Sequence, residues 1–469
     1  MGNVELAPVC VTDTSLSTRS EGFWVNYGLA TFIYLVAAAL TRPVFISDTM
    51  YYLRTASPGF PVFWDFGHLF WRPLLSVLLR HLSADADPSA RFLHAFHILD
   101  FLSTVGGMVA LWFAIATLRL FTRRLTTMAV SATLLSCSQA VLTHSKGGSA
   151  YIFGLLALSG GFYILLCAAK AGRTAWYRAA VAGGFLALAV CLWFPYVFAV
   201  PGALLAPLLF SEQSKKQSRF VLEAAVICAV LGLIAYGAVT IHLGIRDSHG
   251  FFAWVEASSH GIITSGAKRA FFGFARSFIS LDNGVALKRL LFHDPYNSVH
   301  IWQIFGLTWK IILFYIFLAL VLITLLRSPQ GHHALLQLLI TALPVLGFAV
   351  AWQGTDLERY LPLFPALMLA IGLGLGNVRV PSATAGLVGM FVVALVTANL
   401  SALSARTREQ RLQELTATVR SLGELLPHES LVLLPPLHPL HRIYWDFPEA
   451  LPLAERHLKL EWIVELATT

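Results

Sequence analysis

The chain has 469 residues, of which 57% are hydrophobic and only 12% are charged, and its net charge is +8. Soluble domains contain about 25% charged residues, so this composition excludes a soluble globular enzyme, a disordered chain and a disulfide-stapled secreted domain. It indicates a protein that uses lipid as the solvent for much of its length. The five cysteines lack metal-ligand spacing, and four of them lie in apolar runs, so we interpret them as small apolar side chains.

Apolar runs of membrane-spanning length recur along the chain, since a spanning helix needs about 20 mostly apolar residues. Residues 1–22 are polar and precede a run too long for the core of a cleavable signal peptide, so we expect the first run to remain as an anchor. The two runs on either side of Pro195 can also form one kinked helix with a re-entrant piece. Eleven runs are predicted to span: 23–41, 93–118, 126–143, 149–169, 178–194, 195–211, 219–243, 305–326, 334–351, 360–377 and 382–403.

Lys and Arg cluster in every second connection between these runs. Basic residues are retained on the cytoplasmic side of a membrane, so the clustering predicts a cytoplasmic N-terminus and an extracytoplasmic C-terminus. The net positive charge is then a topology signal, and we expect no nucleic-acid partner. The predicted cytoplasmic loops contain a single acidic residue, Glu212, and these basic residues: Arg119, Arg123, Arg124, Lys170, Arg173, Arg178, Lys215, Lys216, Arg219, Arg327 and Arg379.

Three of the segments predicted to lie outside are long, namely 42–92, 244–304 and the tail. Elaborate loops on one side of a scaffold are typical of the side that carries function. We therefore divide the chain into a transmembrane domain, 1–403, and a small extracytoplasmic segment, 404–469. A helical stripe and two strand-like runs predict that this last segment is α/β.

The first outer loop concentrates polar residues among aromatic side chains. Asp48 follows the first span by a few residues, and Asp65, His68 and Arg72 come after it. Aromatic rings of this kind are typical of the lipid headgroup level. Two structural explanations remain open: Ser47 and Asp48 can cap a short helix, and the later residues fit an amphipathic helix in the membrane interface.

Two short outer loops add further charge. In 352–359, the planar guanidinium of Arg359 suits an anionic ligand such as phosphate, although an ion pair with Glu358 explains it equally well. In 144–148, Lys146 precedes the start of the next helix, whose free N–H groups favour an anion. A solvated turn is the alternative for this second loop.

These features together resemble the GT-C superfamily of integral-membrane glycosyltransferases, of the protein mannosyltransferase and lipid A aminoarabinose transferase type. The resemblance rests on Asp48 followed by Tyr51 at the start of a long outer loop, and on the segment Glu358-Arg359-Tyr360-Leu361-Pro362-Leu363-Phe364-Pro365-Ala366. It implies an all-α polytopic fold with about 11 transmembrane helices and a small segment outside. The expected location is a bacterial inner membrane.

The resemblance implies transfer of a sugar from a polyprenyl-phosphate donor to a hydroxyl of a glycan, lipid or protein acceptor, with inversion and with Asp48 as the general base. The first loop lacks the paired carboxylates of many members, and a divalent metal needs several oxygen ligands, so we expect no metal and no other cofactor. The implied donor-phosphate ligands are Arg72, His68, Lys146 and Arg359, and the implied substrate-binding residues are Tyr51, Asp65, Glu358 and Tyr360.

Three other functions remain open on the sequence. An O-antigen ligase or polymerase also uses a long outer loop and donor-binding arginines. A transporter or flippase for a lipid-linked substrate needs polar residues through both halves of the membrane, whereas the predicted spans hold few besides Asp100 and Glu223. A structural subunit of an envelope complex is the third.

Overall fold

The described residues form a helical membrane protein with one short pair of strands. Its description rests on a computed structural model. The structure describes residues 16–42, 47–60, 63–82, 88–172, 174–211, 214–258, 266–281, 301–376, 382–425, 430–434 and 458–462.

The helices follow one another along the chain as α1 (Leu16–Leu40), α2 (Ser47–Arg54), α3 (Trp71–His81), α4 (Pro88–Arg119), α5 (Leu125–Ser136), α6 (Gln139–Lys146), α7 (Ala150–Ala171), α8 (Trp176–Leu192), α9 (Val200–Phe210), α10 (Ser214–His242), α11 (Ser248–Ala257), α12 (Ala267–Phe278), α13 (Ile301–Leu325), α14 (Pro329–Ala351), α15 (Phe364–Gly376), α16 (Ser382–Ala402) and α17 (Ala405–Leu425). Two 3₁₀ helices, Phe194–Phe198 and Leu357–Leu363, precede α9 and α15.

Seven helices of the described chain are long and apolar enough to cross a membrane, and the bent pair α5 and α6 adds an eighth if the two helices form one broken span. The prediction of a polytopic helical membrane protein is therefore confirmed. Shorter apolar helices occupy Val25–Leu40, Trp176–Leu192 and Phe194–Phe210, where three more spans are expected. Length and composition thus support seven or eight spans, and the count of eleven stays a prediction.

The helices differ in how much of their surface faces lipid. In α10 only 17% of the most apolar window is buried, whereas 94% is buried in the span Leu357–Gly376. This central span ends in small residues, and small residues let helices approach closely in a membrane. Gly372 lies against Leu118 of α4, and Gly374 lies against Thr324 of α13, so a Cβ atom at either position would require the neighbouring side chain to shift.

Segments predicted to lie outside meet at one end of the bundle. This arrangement supports the alternation derived from the basic loops, while the side of the membrane on which this end lies stays a prediction. The joining hydrogen bonds run from Arg42 N to Leu403 O (2.8 Å), from Thr49 Oγ1 to Gly147 O (2.5 Å), from Phe194 N to Gly67 O (2.8 Å) and from Arg276 Nη1 to Thr355 O (3.1 Å).

The break between α5 and α6 bends the chain by 57°. The buried side chain of Asn399, on α16, fastens this break to the end of α12. Its Nδ2 donates to Cys137 O at 2.6 Å and to Phe278 O at 2.5 Å, and its Oδ1 accepts from Ser280 N at 2.6 Å. The bend turns α6 towards the end of the bundle where the outer segments meet.

After α17 the structure describes two paired strands, β1 (Ser430–Leu434) and β2 (Leu458–Trp462). They are parallel, with Ser430 opposite Leu458 and Leu434 opposite Trp462. Residues 435–457, which connect them, lie outside the described residues. A compact extracytoplasmic α/β segment therefore stays a prediction.

Candidate active site

Asp48 lies in the first turn of α2, a helix of eight residues that follows the first span. Its Oδ2 accepts a hydrogen bond of 2.8 Å from Tyr151 Oη at the start of α7. The next residue, Thr49, binds the carbonyl oxygen of Gly147 in the connection between α6 and α7. Tyr51 follows on the same short helix and is half-buried. Asp48 is thus attached to the bundle through both its side chain and its neighbour.

Tyr151 is a residue that the sequence analysis missed. Its ring contacts the rings of His144, Trp193 and His68, at centroid distances of 4.8, 4.9 and 5.5 Å. Its carbonyl oxygen accepts a 2.6 Å hydrogen bond from Tyr196 Oη. A single tyrosine inside an apolar run carries no sequence signal for such a contact, because its partner is 103 residues away.

The 352–359 loop brings a second charged group to this end of the bundle. Arg359 Nη2 donates to Gln353 Oε1 at 2.7 Å and lies 3.9 Å from the carboxylate oxygens of both Asp356 and Glu358. Within the described residues, the buried Nε of Arg359 has no hydrogen-bond partner. The guanidinium carbon lies 5.6 Å from the rings of Trp193 and Phe348 and 5.8 Å from that of Trp352.

Asp48 and the carboxylates of this loop lie within electrostatic reach of one another. Asp48 interacts with both Asp356 and Glu358. Partial burial raises the pKa of Asp356 above its ordinary value; Arg359 and Arg276 oppose this shift, and the charge of Asp48 adds to it. The site therefore combines three carboxylates with two guanidinium groups.

Asp65, His68 and Arg72 form an adjacent buried cluster. Arg72 Nη1 donates to Asp65 Oδ2 at 2.8 Å and Nε donates to Thr55 Oγ1 at 2.8 Å, and the Arg72 residue is 0% exposed. His68 Nδ1 lies 2.9 Å from Tyr52 Oη and 3.4 Å from Asp65 Oδ2. Burial alone would raise the pKa of Asp65, but the hydrogen bond and charge of His68 and the charge of Arg72 hold it well below its ordinary value. The ion pair and these hydrogen bonds hold the first loop together, while the buried Nε2 of His68 has no partner within the described residues.

Two other predicted ligands also have protein partners. Lys146, predicted to bind phosphate, ends α6 with its Nζ 3.3 Å from Asp100 Oδ2 of α4. Tyr360, predicted to bind substrate, is 0% exposed and donates to Ala270 O at 2.8 Å and to Gly354 O at 2.5 Å. Lys146 therefore neutralises a carboxylate, and Tyr360 fastens the 352–359 loop to α12.

The structure thus brings Asp48 together with Glu358 and Arg359, and it places the cluster around Arg72 beside them through the contact of His68 with Tyr151. Among the described residues, no group of three or more His, Cys, Asp or Glu side chains is arranged to hold a metal ion. The expectation that no metal is needed stays a prediction.

In fold, the chain is similar to the solved structure of the archaeal oligosaccharyltransferase AglB from Archaeoglobus fulgidus, which is in complex with an inhibitory peptide and a dolichol-phosphate. The TM-score is 0.50 and the identity 13%; the likeness covers 95% of this chain and 65% of that one. The chain thus spans less than two thirds of the length of AglB. No family model matches the chain, and no curated protein matches it in sequence. At this identity the likeness shows a shared fold and does not identify a family or a type of transferase.

Proposed function

We propose that this chain is a membrane glycosyltransferase that moves a sugar from a polyprenyl-phosphate donor to an acceptor hydroxyl, with Asp48 as the general base. The observation that carries the proposal is the meeting of Asp48 with Glu358 and Arg359 at one end of a GT-C-like bundle. The AglB structure contains a dolichol-phosphate and an inhibitory peptide. A shared fold makes a lipid phosphate the first donor class to test here.

In the proposed transfer, the acceptor oxygen forms a bond to the anomeric carbon while the bond from that carbon to the donor phosphate oxygen breaks. A hydroxyl is a weak nucleophile unless a base takes its proton in the transition state. Asp48 accepts this proton and later returns it to water. The polyprenyl phosphate leaves with the electron pair of the broken bond, and a single displacement inverts the anomeric centre.

Arg359 is the residue best suited to stabilise the charge on the leaving phosphate. Its two carboxylate neighbours lie at 3.9 Å, too far for hydrogen bonds, and its Nε lacks a partner within the described chain. The guanidinium therefore retains donor groups for a phosphate, and Arg fits phosphate in a bidentate manner. The surrounding aromatic rings support its position through cation–π contacts.

For the other residues predicted to bind donor or substrate, we infer roles from their contacts in the structure. Glu358 and Tyr51 stay candidates for binding sugar or acceptor hydroxyls, because both belong to segments that carry Asp48 or Arg359. The ion pair of Asp65 with Arg72 favours a supporting role in the first loop, whereas His68, whose Nε2 has no partner within the described residues, stays a candidate donor ligand. The contacts of Lys146 and Tyr360 favour structural roles in the same way.

The test is a donor binding and turnover assay in lipid nanodiscs with a panel of polyprenyl-phosphate sugars. Turnover is followed as donor hydrolysis and as transfer to a panel of soluble and lipid acceptors. Asp48→Asn should bind donor but lose turnover by about 100-fold or more, the range of general base catalysis. Asp247→Asn is the matched control, because that carboxylate only accepts a hydrogen bond from Gly250 N at the start of α11.

If Asp48→Asn turned over the donor at the rate of the wild type, Asp48 would not be the general base. Failure of the wild-type protein to bind any lipid-phosphate sugar would contradict the proposal. That result would favour the ligase, transporter or structural functions. Arg359→Gln gives a second arm, in which weaker donor binding is expected with the fold intact.

A further inference from the structure

We propose that Tyr151 is a positioning residue that orients the Asp48 carboxylate for proton transfer. This inference rests on the proposed function, since it assigns a partner to the proposed base. Tyr151 lies on α7 and Asp48 on α2, so their hydrogen bond connects the short helix after the first span to the buried bundle.

Asp48 needs an external group to fix its orientation. It is partly exposed and belongs to a helix of only eight residues. A helix this short is stable only through its tertiary contacts. The Tyr151 Oη hydrogen bond to Oδ2, at 2.8 Å, has the length of a good hydrogen bond between oxygen atoms. It selects one orientation of the carboxylate among those that the rotatable side chain permits.

Tyr151 itself is held rigidly. It is 5% exposed, and rings contact it from three neighbours: His144, Trp193 and His68. Its carbonyl oxygen is bound by Tyr196, which is itself fully buried. A catalytic group is positioned well when the residue that contacts it is locked by packing and by further hydrogen bonds. Tyr151 meets this condition.

The chemistry of the contact favours the same role. A phenol that donates to a carboxylate stabilises the charged form, which is the form that accepts the acceptor's proton. The same bond limits rotation, so that the basic oxygen is presented in one direction, and orientation of this kind contributes strongly to rate. No proton needs to leave Tyr151, because the phenol donates a hydrogen bond throughout.

Two buried tyrosines permit a matched comparison. Tyr151→Phe removes the hydroxyl that binds Asp48 and keeps the ring that packs on His144 and Trp193. Tyr34→Phe, on α1, removes a buried hydroxyl of the same kind, whose hydrogen bond of 2.7 Å goes to Thr104 O on α4. Both variants lose one buried hydrogen bond, but only the first loses the contact with the carboxylate.

The experiment measures kcat and donor KM in nanodiscs, together with the infrared carboxylate stretching band of Asp48, isolated by subtracting the Asp48→Asn spectrum. Tyr151→Phe should lose about tenfold in kcat, with donor KM nearly unchanged. Its Asp48 band should shift in frequency, because the carboxylate has lost a hydrogen-bond donor. Tyr34→Phe should leave kcat and the band in place and lower only the melting temperature.

Incorporation of 3-fluorotyrosine at position 151 supplies a second variant that preserves the packing if Tyr151→Phe does not fold. The fluorinated phenol is a stronger hydrogen-bond donor, so the Asp48 band should shift in the direction opposite to that in Tyr151→Phe. If kcat and the Asp48 band of both substituted proteins equalled those of the wild type, the role of Tyr151 would be overturned. Failure of the proposed function shows differently, as absent wild-type turnover, while the infrared band still decides whether Tyr151 orients the carboxylate.

Discussion

Gly273 on α12 and Gly354 in the 352–359 loop face each other so closely that a Cβ atom at Gly273 would collide with the Gly354 carbonyl oxygen. Arg276 and Tyr360 hydrogen-bond to the same loop. The position of Arg359 therefore depends on the close approach of α12. A helix from the second long outer segment thereby supports the proposed phosphate ligand.

Gly273→Ala should displace the 352–359 loop, because the new methyl group meets backbone atoms that have no rotamer to change. We expect a loss of about 1–3 kcal/mol in the free energy of unfolding, as for other overpacked sites, together with weaker donor binding. Thermal unfolding and donor binding measure the two effects. Gly306→Ala is the control, since nothing lies within 4 Å of a Cβ atom there. If Gly273→Ala and Gly306→Ala changed stability and donor binding equally, the close approach of α12 to the 352–359 loop would be unimportant.

Arg72→Ala should destabilise the protein strongly, because it leaves the buried Asp65 carboxylate without its guanidinium partner. Removing one member of a buried ion pair costs about 3–5 kcal/mol. The double variant Arg72→Ala with Asp65→Ala should recover part of that loss. A double-mutant cycle by thermal unfolding measures the coupling.

The exposed pair of Arg219 and Glu223 provides the control for this cycle. Arg219→Ala should change the free energy of unfolding by at most about 0.5 kcal/mol, since exposed i,i+4 pairs contribute little. If Arg72→Ala instead weakened donor binding and left stability unchanged, Arg72 would be a phosphate ligand after all.

The Asp65 carboxyl should make stability depend on acidity. Its pKa in the folded protein lies below that in the unfolded chain, about 3.9, so the folded state binds the proton less readily. The stabilisation is then complete above about pH 4 and is lost as the pH falls towards the folded pKa. The gap in melting temperature between wild type and Asp65→Asn should narrow as the pH is lowered from about 5 to about 3, measured at intervals of about half a pH unit. A constant gap would contradict the pKa shift.

Asn399→Leu should destabilise the bend between α5 and α6. The substitution leaves two buried carbonyl oxygens and one buried N–H group without their partner. We expect a loss of about 3 kcal/mol or more in the free energy of unfolding. Thr397→Val on the same helix is the control, since its hydroxyl binds only carbonyls of its own helix. A loss in Asn399→Leu no larger than in the control would refute the fastening role.

The orientation predicted from the basic loops can be tested by labelling single cysteines, starting from a protein in which Cys10 is serine. Gly59→Cys, in the first outer loop, should react with an impermeant maleimide in intact cells. Arg327→Cys, between α13 and α14, should react only after the membrane is permeabilised. The opposite labelling pattern would show that the predicted orientation is wrong.

Periodicity and composition determine much of this protein because lipid imposes a local requirement: each spanning segment must be apolar and must satisfy its own backbone. The spans that contain α7, α10 and α13 could therefore each be predicted from their own residues. The alternation of basic loops is also a local signal, and the contact of Arg42 with Leu403 agrees with it. Asp48, Glu358 and Arg359 were found because loop residues of this kind stand out against apolar runs.

Only the tertiary structure decided which of the polar residues face one another. Asp65 and Arg72 neutralise each other, and Lys146 pairs with Asp100, because charges removed from water are stable only beside a partner. The contact of Tyr151 with Asp48 joins residues 103 positions apart and depends on how α2 docks against α7. Sequence patterns report the environment of a segment, whereas pairing depends on distances that only the folded chain sets.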